Sequence, residues 1–139
     1  MQSEGWHKPV TNGACAGTLE KKLRLEGIII NVLFPPVPGK IVYRAHVQNI
    51  GWMNWVNSGE LAGTTGRSLR MEALEIKIEG ELSKMFDIYY RVFCDGLGWQ
   101  NWHWNGETAG TTGQGRRTEM VQIFVWPKGS KPTFFPDPL

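Results

Sequence analysis

The sequence has little excess charge, since its 139 residues carry 15 lysines and arginines against 13 aspartates and glutamates. Proteins that bind nucleic acid or anionic membranes usually show a clustered basic patch, so we predict neither as a partner. The longest apolar stretch, residues 28–34, is interrupted by Asn31. It is far shorter than the roughly 20 residues that span a bilayer, so no membrane insertion is expected. Residues 1–6 lack the basic and apolar regions of a signal peptide, and we expect a soluble chain.

Cysteine is also scarce, with Cys15 and Cys94 as the two in the chain. Neither has metal-ligand spacing around it, so we predict no metal and no cofactor. Two interpretations of the cysteines stay open, namely buried free thiols or a disulfide between them. The three histidines occupy unrelated positions, and the sequence contains no nucleophile elbow, Cys–His arrangement or zinc-protease motif. We therefore do not expect an enzyme.

Glycine and tryptophan, by contrast, are abundant, with 17 and seven residues. Gly-Trp pairs begin at Gly5, Gly51 and Gly98, which are 46 and then 47 residues apart. Each pair is followed by Ala-Gly-Thr, then by Arg-x-Glu, then by an apolar segment. A period in this range indicates units that bury their apolar faces against one another. We predict a single domain made of units at about 1–33, 41–80 and 87–126, with a proline-rich tail at 127–139.

Alternation of apolar and polar residues predicts half-buried strands in units two and three. The residues predicted to point inward are Tyr43, Ala45, Val47, Leu74, Ile76 and Ile78 in unit two, and Tyr90, Val92, Cys94, Val121, Ile123 and Val125 in unit three. Helical periodicity is not convincing anywhere, so we predict an all-β fold. Three units around a shared aliphatic core favour a pseudo-threefold β-prism-like assembly, and a β-trefoil is the alternative.

Unit one differs from the others because only four residues precede its Gly-Trp pair. It therefore lacks a first strand. The repeat period places Phe134 and Phe135 where the first strand of a fourth unit would begin. We hypothesise that the C-terminal tail closes a ring by supplying part of the strand that unit one lacks, which would remove an exposed strand edge.

Two motif positions occur in all three units, and we interpret both as mainly structural. The Gly-Trp tryptophans are expected to pack within their units, with an exposed stacking role as the alternative. The Arg-x-Glu charges fall on the same strand face as the inward aliphatics, so we expect them to be paired in a network at one end of the core, because an isolated buried charge costs several kcal/mol. The alternative is that these charges lie in a ligand pocket. These signature residues are Trp6, Trp52, Trp99, Arg24, Arg70, Arg117, Glu26, Glu72 and Glu119.

A second set of residues occurs in units two and three and is lost from unit one. It comprises aromatic, amide, carboxylate and hydroxyl side chains, which are Trp55, Trp102, Trp104, Asn54, Asn101, Glu60, Glu107, Thr65 and Thr112. Unit one has Pro9 in place of the first tryptophan and Ala14 in place of the glutamate. Joint loss of unlike residues indicates a shared binding role, and aromatic faces with amides and carboxylates suit sugar rings. Peptide ligands use the same chemistry, so the ligand class stays open.

The segment Tyr43–Ile78 resembles the clostridial hydrophobic repeat with a conserved tryptophan, the ChW repeat. The resemblance lies in its Gly-Trp, Ala-Gly-Thr-Thr-Gly and Leu-Arg-x-Glu motifs. Tyr90–Val125 is similar, with His103-Trp104 and Gly115-Arg116 as departures, and Gly5–Val32 matches in its second half.

Members of the ChW family occur in secreted and surface proteins of Gram-positive bacteria and beside degradative domains. The resemblance thus implies an extracellular or cell-surface module, expected to bind cell-wall polysaccharide or peptidoglycan and to be joined to a catalytic domain in a longer protein. A cell-surface protein–protein interaction module is the alternative.

Overall fold

The structure is a computed structural model that describes residues 1–2, 5–10, 12, 15–17, 23–32 and 35–129. Its elements in chain order are β1 Cys15–Gly17, β2 Gly27–Ile29, β3 Gly39–Val47, β4 Gly51–Trp52, β5 Val56–Asn57, β6 Leu61–Gly63, β7 Met71–Gly80, α1 Leu82–Met85, β8 Phe86–Cys94, β9 Gly98–Trp99, β10 His103–Trp104, β11 Ala109–Gly110 and β12 Thr118–Pro127. The all-β prediction is confirmed. The one-turn helix α1 was not predicted from the sequence, and it buries Leu82 at the connection between units two and three.

Two long strand pairs provide most of the core. β3 pairs antiparallel with β7, and β8 pairs antiparallel with β12. The residues predicted to point inward from β3, β7 and β8 are at most 9% exposed, which confirms their alternation. On β12, Val121 is buried, while Ile123 and Val125 are half-buried and pack against the same core.

A bulge near the start of β7 corrects one prediction. His46 pairs with Ala73 but Val47 pairs with Met71, so Glu72 is an extra residue in that strand. The bulge reverses the alternation, because Met71, rather than its charged neighbours, takes the fully buried position. The same irregularity occurs at the start of β12, where the strand register shifts after Thr118. The Arg-x-Glu motifs therefore do not share the face of the inward aliphatics, as simple alternation had suggested.

The units exchange strands in a cyclic order. β6 of unit two pairs with β2 of unit one, and β11 of unit three pairs with β7 of unit two. β1 of unit one pairs with β12 of unit three, so the exchange returns to its starting point. The described strands form separate antiparallel sheets and no barrel. The prism-like arrangement stays a prediction, and the hypothesis that Phe134 and Phe135 complete unit one falls outside the described residues.

The cyclic exchange explains why Ala-Gly-Thr and Arg-x-Glu occur together in every unit. A Cβ atom on Gly63 would lie 2.4 Å from the backbone oxygen of Glu26, and one on Gly110 would lie 2.4 Å from that of Glu72. Gly17 approaches Glu119 in the same way, at 2.2 Å. The glycine of one unit thus makes room for the glutamate backbone of its neighbour.

The strand starts of the three units meet through backbone hydrogen bonds. The amide of Leu25 donates to the oxygen of Thr118, and the amide of Met71 donates to the oxygen of Leu25, both at 2.7 Å. These three residues occupy equivalent positions and are at most 5% exposed. Unit contacts at this point are therefore formed by the backbone as well as by side chains.

The cysteines do not form a disulfide. Cys94 is buried, as one interpretation predicted, whereas Cys15 is exposed, and both are free. The disulfide alternative is wrong, and burial holds for Cys94 alone.

Candidate ligand-binding site

The outer face of the β3–β7 pair carries an arginine that contacts two tryptophans. Arg44 points away from the core because its neighbours in β3 point inward. β4 returns along β3, which places Trp52 opposite His46, and β5 begins directly after Trp55. The guanidinium carbon of Arg44 lies 4.5 Å from the ring centroid of Trp52 and 4.9 Å from that of Trp55. We call these three residues the unit-two cluster.

The β8–β12 pair carries the equivalent unit-three cluster of Arg91, Trp99 and Trp102. The guanidinium carbon of Arg91 lies 4.2 Å from the ring centroid of Trp99 and 4.7 Å from that of Trp102. Cation–π contacts of this kind contribute about 0.5–2 kcal/mol each. The tryptophans of both clusters therefore have a structural partner on the outer sheet surface, and their free surface is what a ligand can contact.

The two clusters differ in the side chain that accepts a hydrogen bond from the arginine. Glu75 lies 2.7 Å from Nη2 of Arg44 and accepts a hydrogen bond from the hydroxyl of Thr108. The equivalent position in unit three is Gln122, whose Oε1 accepts a hydrogen bond from Nε of Arg91 at 2.9 Å. Arg91 is 6% exposed, and this burial lowers its pKa, although nearby Cys15 acts in the opposite direction. Unit three thus holds its arginine with a neutral amide where unit two uses a carboxylate.

Further differences make the outer face of unit three more aromatic. The ammonium group of Lys77 lies 4.6 Å from the ring centroid of Trp55, which leaves that tryptophan 36% exposed. At the equivalent place in unit three, Phe124 packs against Trp102 with ring centroids 5.3 Å apart. Trp102 is half-buried as a result.

Trp104 presents the largest aromatic surface of units two and three. It lies in β10 opposite Tyr89, and the two rings stack with centroids 5.7 Å apart and planes 12° from parallel. Trp104 remains 45% exposed. Unit two has Asn57 at this position, so this platform is a feature of unit three.

The two glutamates predicted to bind a ligand, Glu60 and Glu107, each accept a hydrogen bond from a backbone N–H three residues earlier in the chain. Glu60 accepts a hydrogen bond from the backbone N–H of Asn57 at 2.7 Å, and Glu107 accepts one from the N–H of Trp104 at 3.1 Å. Each glutamate therefore closes the turn that precedes it. His103 also lies 3.4 Å from Glu107. Both carboxylates are exposed, and their contact with a ligand stays a prediction.

The remaining polar residues of the set do not form one group around the tryptophans. Asn54 and Asn101 are exposed beside Trp55 and Trp102 in the chain. Thr65 instead lines a cavity beside unit one, since the segment that carries it pairs with β2. Thr112 is exposed and follows the segment that pairs with β7. Strand exchange thus assigns each hydroxyl turn to the neighbouring unit, which sequence order could not reveal.

The signature residues behave as a structural set only in part. Each Arg-x-Glu motif forms an ion pair within itself, as expected, and the pairs are Arg24–Glu26 at 2.8 Å, Arg70–Glu72 at 2.9 Å and Arg117–Glu119 at 3.1 Å. Trp52 and Trp99 lie half-buried on the outer faces rather than in the core. Trp6 is 58% exposed and contributes a ring to the cavity that Thr65 lines.

The sequence-based set omitted Arg44, Arg91, Tyr89 and Phe124, which shape the two outer faces. The two arginines could have been predicted from the sequence, because they occupy the same outward strand position one repeat period apart. Tyr89 and Phe124 gave no such signal, since unit two has Val42 and Lys77 in their places.

In the part of the chain that is described, no group of histidine, cysteine, aspartate and glutamate side chains is arranged to hold a metal ion. No helix among those residues is long and apolar enough to cross a membrane.

Comparison with known families gives three matches to the family described as Clostridial hydrophobic W (ChW), at residues 1–33, 46–80 and 94–125. Each match falls within one of the three predicted units, and together the matches cover most of the chain. No match was found among curated proteins or among solved structures. The chain therefore belongs to the ChW family and consists of three tandem ChW repeats.

Proposed function

We propose that the chain is a non-catalytic, extracellular binding module that attaches a protein to bacterial cell-wall glycan or a related polysaccharide. The observation that carries this proposal is the pair of exposed tryptophans, Trp55 and Trp104, on equivalent outer sheet faces. The apolar C–H face of a pyranose packs on an indole ring, while neighbouring polar groups bond its hydroxyls.

Each platform has a rigid base, which is Arg44 for Trp55 and the stacked ring of Tyr89 for Trp104. Arg44 contacts both Trp52 and Trp55, and a ring that is held before the ligand arrives loses less conformational freedom on binding. The exposed Asn54, Asn101, Glu60 and Glu107 offer hydrogen-bonding groups near the platforms.

Two faces on one module also suit a polymeric ligand. When the first face is bound, the second meets its site at a high effective concentration, which raises the overall affinity without any new contact. A module of this kind can anchor an attached catalytic domain or surface protein to its substrate.

A protein–protein interaction module is the second candidate. It is favoured by the arginine and tryptophan content of the two clusters, because these residue types dominate binding hot spots between proteins. The ligand would then be a surface protein rather than a glycan.

Co-sedimentation with Gram-positive cell walls tests the proposal and separates the two candidates. The chain is mixed with walls before and after their proteins and secondary polymers are removed. Trp55→Ala/Trp104→Ala, which removes both exposed platforms, is run beside the unchanged chain, with Leu97→Ala, another exposed apolar residue, as the control. The glycan proposal requires binding that survives protein removal, is lost in the double variant and persists in the control.

Loss of binding on protein removal would favour the protein-binding candidate. Absence of binding to every wall preparation would refute wall attachment. Circular dichroism of each variant checks that the fold is intact, because Trp55 loses its contacts with Arg44 and Lys77 and Trp104 loses its stack on Tyr89, which costs stability as well.

A further inference from the structure

A cavity of about 270 Å³ lies between units two and three, next to the turn that follows Trp104. Two lysines contribute to its wall, and no acidic side chain among the described residues lines it. We call it the lysine pocket. Its lining residues are Lys77, Ile78, Ser83, Phe86, Asn105 and Lys128.

Strand exchange brings the two units together at this pocket. The amide of Gly106 in unit three donates a hydrogen bond to the backbone oxygen of Ile76 in unit two at 2.7 Å. A Cβ atom on Gly106 would lie 3.9 Å from Cβ of Lys77. The turn after Trp104 therefore lies directly beside Lys77 of the neighbouring unit.

Asp87 holds the opposite side of the pocket. Its Oδ1 accepts hydrogen bonds from Nζ of Lys128 at 2.6 Å and from Nδ2 of Asn105 at 2.9 Å. Burial acts to raise the pKa of Asp87, but these hydrogen bonds lower it below its ordinary value, so the carboxyl group is ionised at neutral pH. Asp87 is 5% exposed, whereas the side chain of Lys128 is 46% exposed. Because an ammonium group has three N–H donors, Lys128 is held in place by one and has two for a ligand.

Lys77 is the less restrained of the two lysines. Its side chain is 41% exposed, and its Nζ lies 4.0 Å from Oε2 of Glu79, which is exposed as well. An exposed ion pair at this distance is weak. The ammonium group also lies 4.6 Å from the ring centroid of Trp55. Lys77 can therefore turn toward an anion without losing a hydrogen-bonded carboxylate.

The exposed aromatic surface of Trp104 is a neighbour of the lysine pocket. Trp104 directly precedes Asn105 in the chain and stacks on Tyr89. Tyr89 follows Asp87 by two residues in β8, so both side chains lie on the same strand face. Burial and Asp87 raise the pKa of Tyr89 while Lys128 acts to lower it, which shows that the ammonium group is close to this ring.

The boundary between units one and two has the same backbone contact but different side chains. There the amide of Gly59 donates to the backbone oxygen of Ile30 at 2.8 Å. The residues in the corresponding positions are Asn31 for Lys77, Asn57 for Trp104 and Glu81 for Lys128. The repeat fold thus requires neither the two lysines nor the tryptophan, and all three occur together at one boundary.

We propose that the lysine pocket binds a carboxylate or phosphate group of an acidic polysaccharide, while a sugar ring of the same chain stacks on Trp104. The two ammonium groups supply charge-assisted hydrogen bonds to the anion, and the indole covers the apolar face of the ring. The inference rests on the proposed glycan-binding function and deepens it, because it names an acidic rather than a neutral glycan as the ligand.

Three tetrasaccharides with one backbone test the role of charge. Tetra-N-acetylchitotetraose is neutral, its counterpart with N-acetylmuramic acid at every second ring carries lactyl carboxylates, and its 6-O-phosphorylated form carries phosphates. Each is titrated into ¹⁵N-labelled protein at pH 7. The Kd is measured from the indole N–H signal of Trp104, which Trp104→Phe identifies by removing it. We expect at least one acidic probe to bind about tenfold more tightly than the neutral one, and the tighter of the two identifies the anionic group.

Lysine variants locate the effect. Lys77→Gln removes a charge from the pocket, Lys77→Arg keeps it, and Lys84→Gln removes the charge of an exposed lysine that does not line the pocket. We expect Lys77→Gln to reduce the preference for the acidic probe about fivefold, and the other two variants to retain it. Lys128 is left unchanged, because its replacement would leave the buried Asp87 without its cation.

Each other outcome overturns the inference. Equal binding of the neutral and acidic probes would refute the pocket as an anion site and leave glycan binding standing. Equal losses in Lys77→Gln and Lys84→Gln would show that the preference arises from overall charge. Binding that moves other indole signals but not that of Trp104 would place the glycan elsewhere. If no probe binds at up to about 10 mM, where a Kd of about 1 mM gives nearly full occupancy, the inference fails, and co-sedimentation with cell walls decides the parent proposal independently.

Discussion

Substitution of Gly110 by alanine tests the strand exchange that organises the whole chain. Gly110 has a φ of +101°, and a Cβ atom there would lie 2.4 Å from the backbone oxygen of Glu72. That oxygen also accepts the hydrogen bond from the amide of Thr111 at 3.0 Å. Alanine therefore adds both a strained backbone angle and a collision with the neighbouring unit. Gly113 is the matched control, because its φ is +70° and a Cβ atom there would meet nothing within 4 Å.

The expected cost follows from these two terms. A positive φ costs an alanine about 1–2 kcal/mol, and this term applies to both variants. Relief of the collision at Gly110 moves the strands apart and weakens a buried hydrogen bond, at a cost of about 2–3 kcal/mol more. For a domain of this size, 1 kcal/mol corresponds to about 4 °C in Tm. We expect Gly110→Ala to lower Tm by about 12–20 °C and Gly113→Ala by about 4–8 °C.

Differential scanning calorimetry of the two variants and the unchanged chain measures the effect. Gly63→Ala repeats the test between units one and two, where the equivalent Cβ atom would lie 2.4 Å from the oxygen of Glu26. Equal Tm values for Gly110→Ala and Gly113→Ala would refute the close approach of the strands, and with it the explanation of the Ala-Gly-Thr motif.

Three further predictions concern charge and titration. Gln122→Glu gives the buried Arg91 a carboxylate partner, so Tm at pH 7 should rise by several degrees. Arg91 should hold the pKa of that carboxylate below the ordinary glutamate value of about 4.3, so the gain should shrink as the pH falls below about 4, and a gain of undiminished size at pH 3 would contradict the pairing. Cys15 is exposed while burial raises the pKa of Cys94 to about 11, so a thiol reagent at pH 8 should modify one cysteine in the folded chain and two in denaturant. Burial raises the pKa of Tyr90 to about 12, so its contribution to stability is complete below about pH 10 and is lost as the pH rises toward 12. Urea unfolding curves should show that Tyr90→Phe loses less stability than the unchanged chain between pH 10 and 12, and an equal loss in both proteins would contradict this assignment.

The separation of the hydroxyl turns from the tryptophans changes how the repeat is understood. In sequence, Trp55 and Thr65 belong to one unit and suggest one site. In the structure, Thr65 lines the cavity beside Trp6, because β6 pairs with the preceding unit. A single unit therefore contributes to two places on the surface, and each place combines residues of two units.

Features that depend on local periodicity could be predicted from the amino-acid order. The spacing of Gly5, Gly51 and Gly98 gave three units, and period-two alternation gave the inward residues of the long strands, since side chains alternate along any strand. It also indicated that the Arg-x-Glu charges are paired, because a buried charge without a partner is too costly.

Tertiary structure alone decided which units touch. The bulge at Glu72 reversed the alternation beyond it, and no local signal in the sequence announces one extra residue in a strand pair. Cyclic pairing of β1, β6 and β11 with the preceding units joins residues that are distant in the chain. That pairing brings Thr65 of unit two beside Trp6 of unit one and so forms the cavity between them. The sequence could not reveal it, because strand partners are set by contacts between units and the repeat period is the same whichever unit each strand joins.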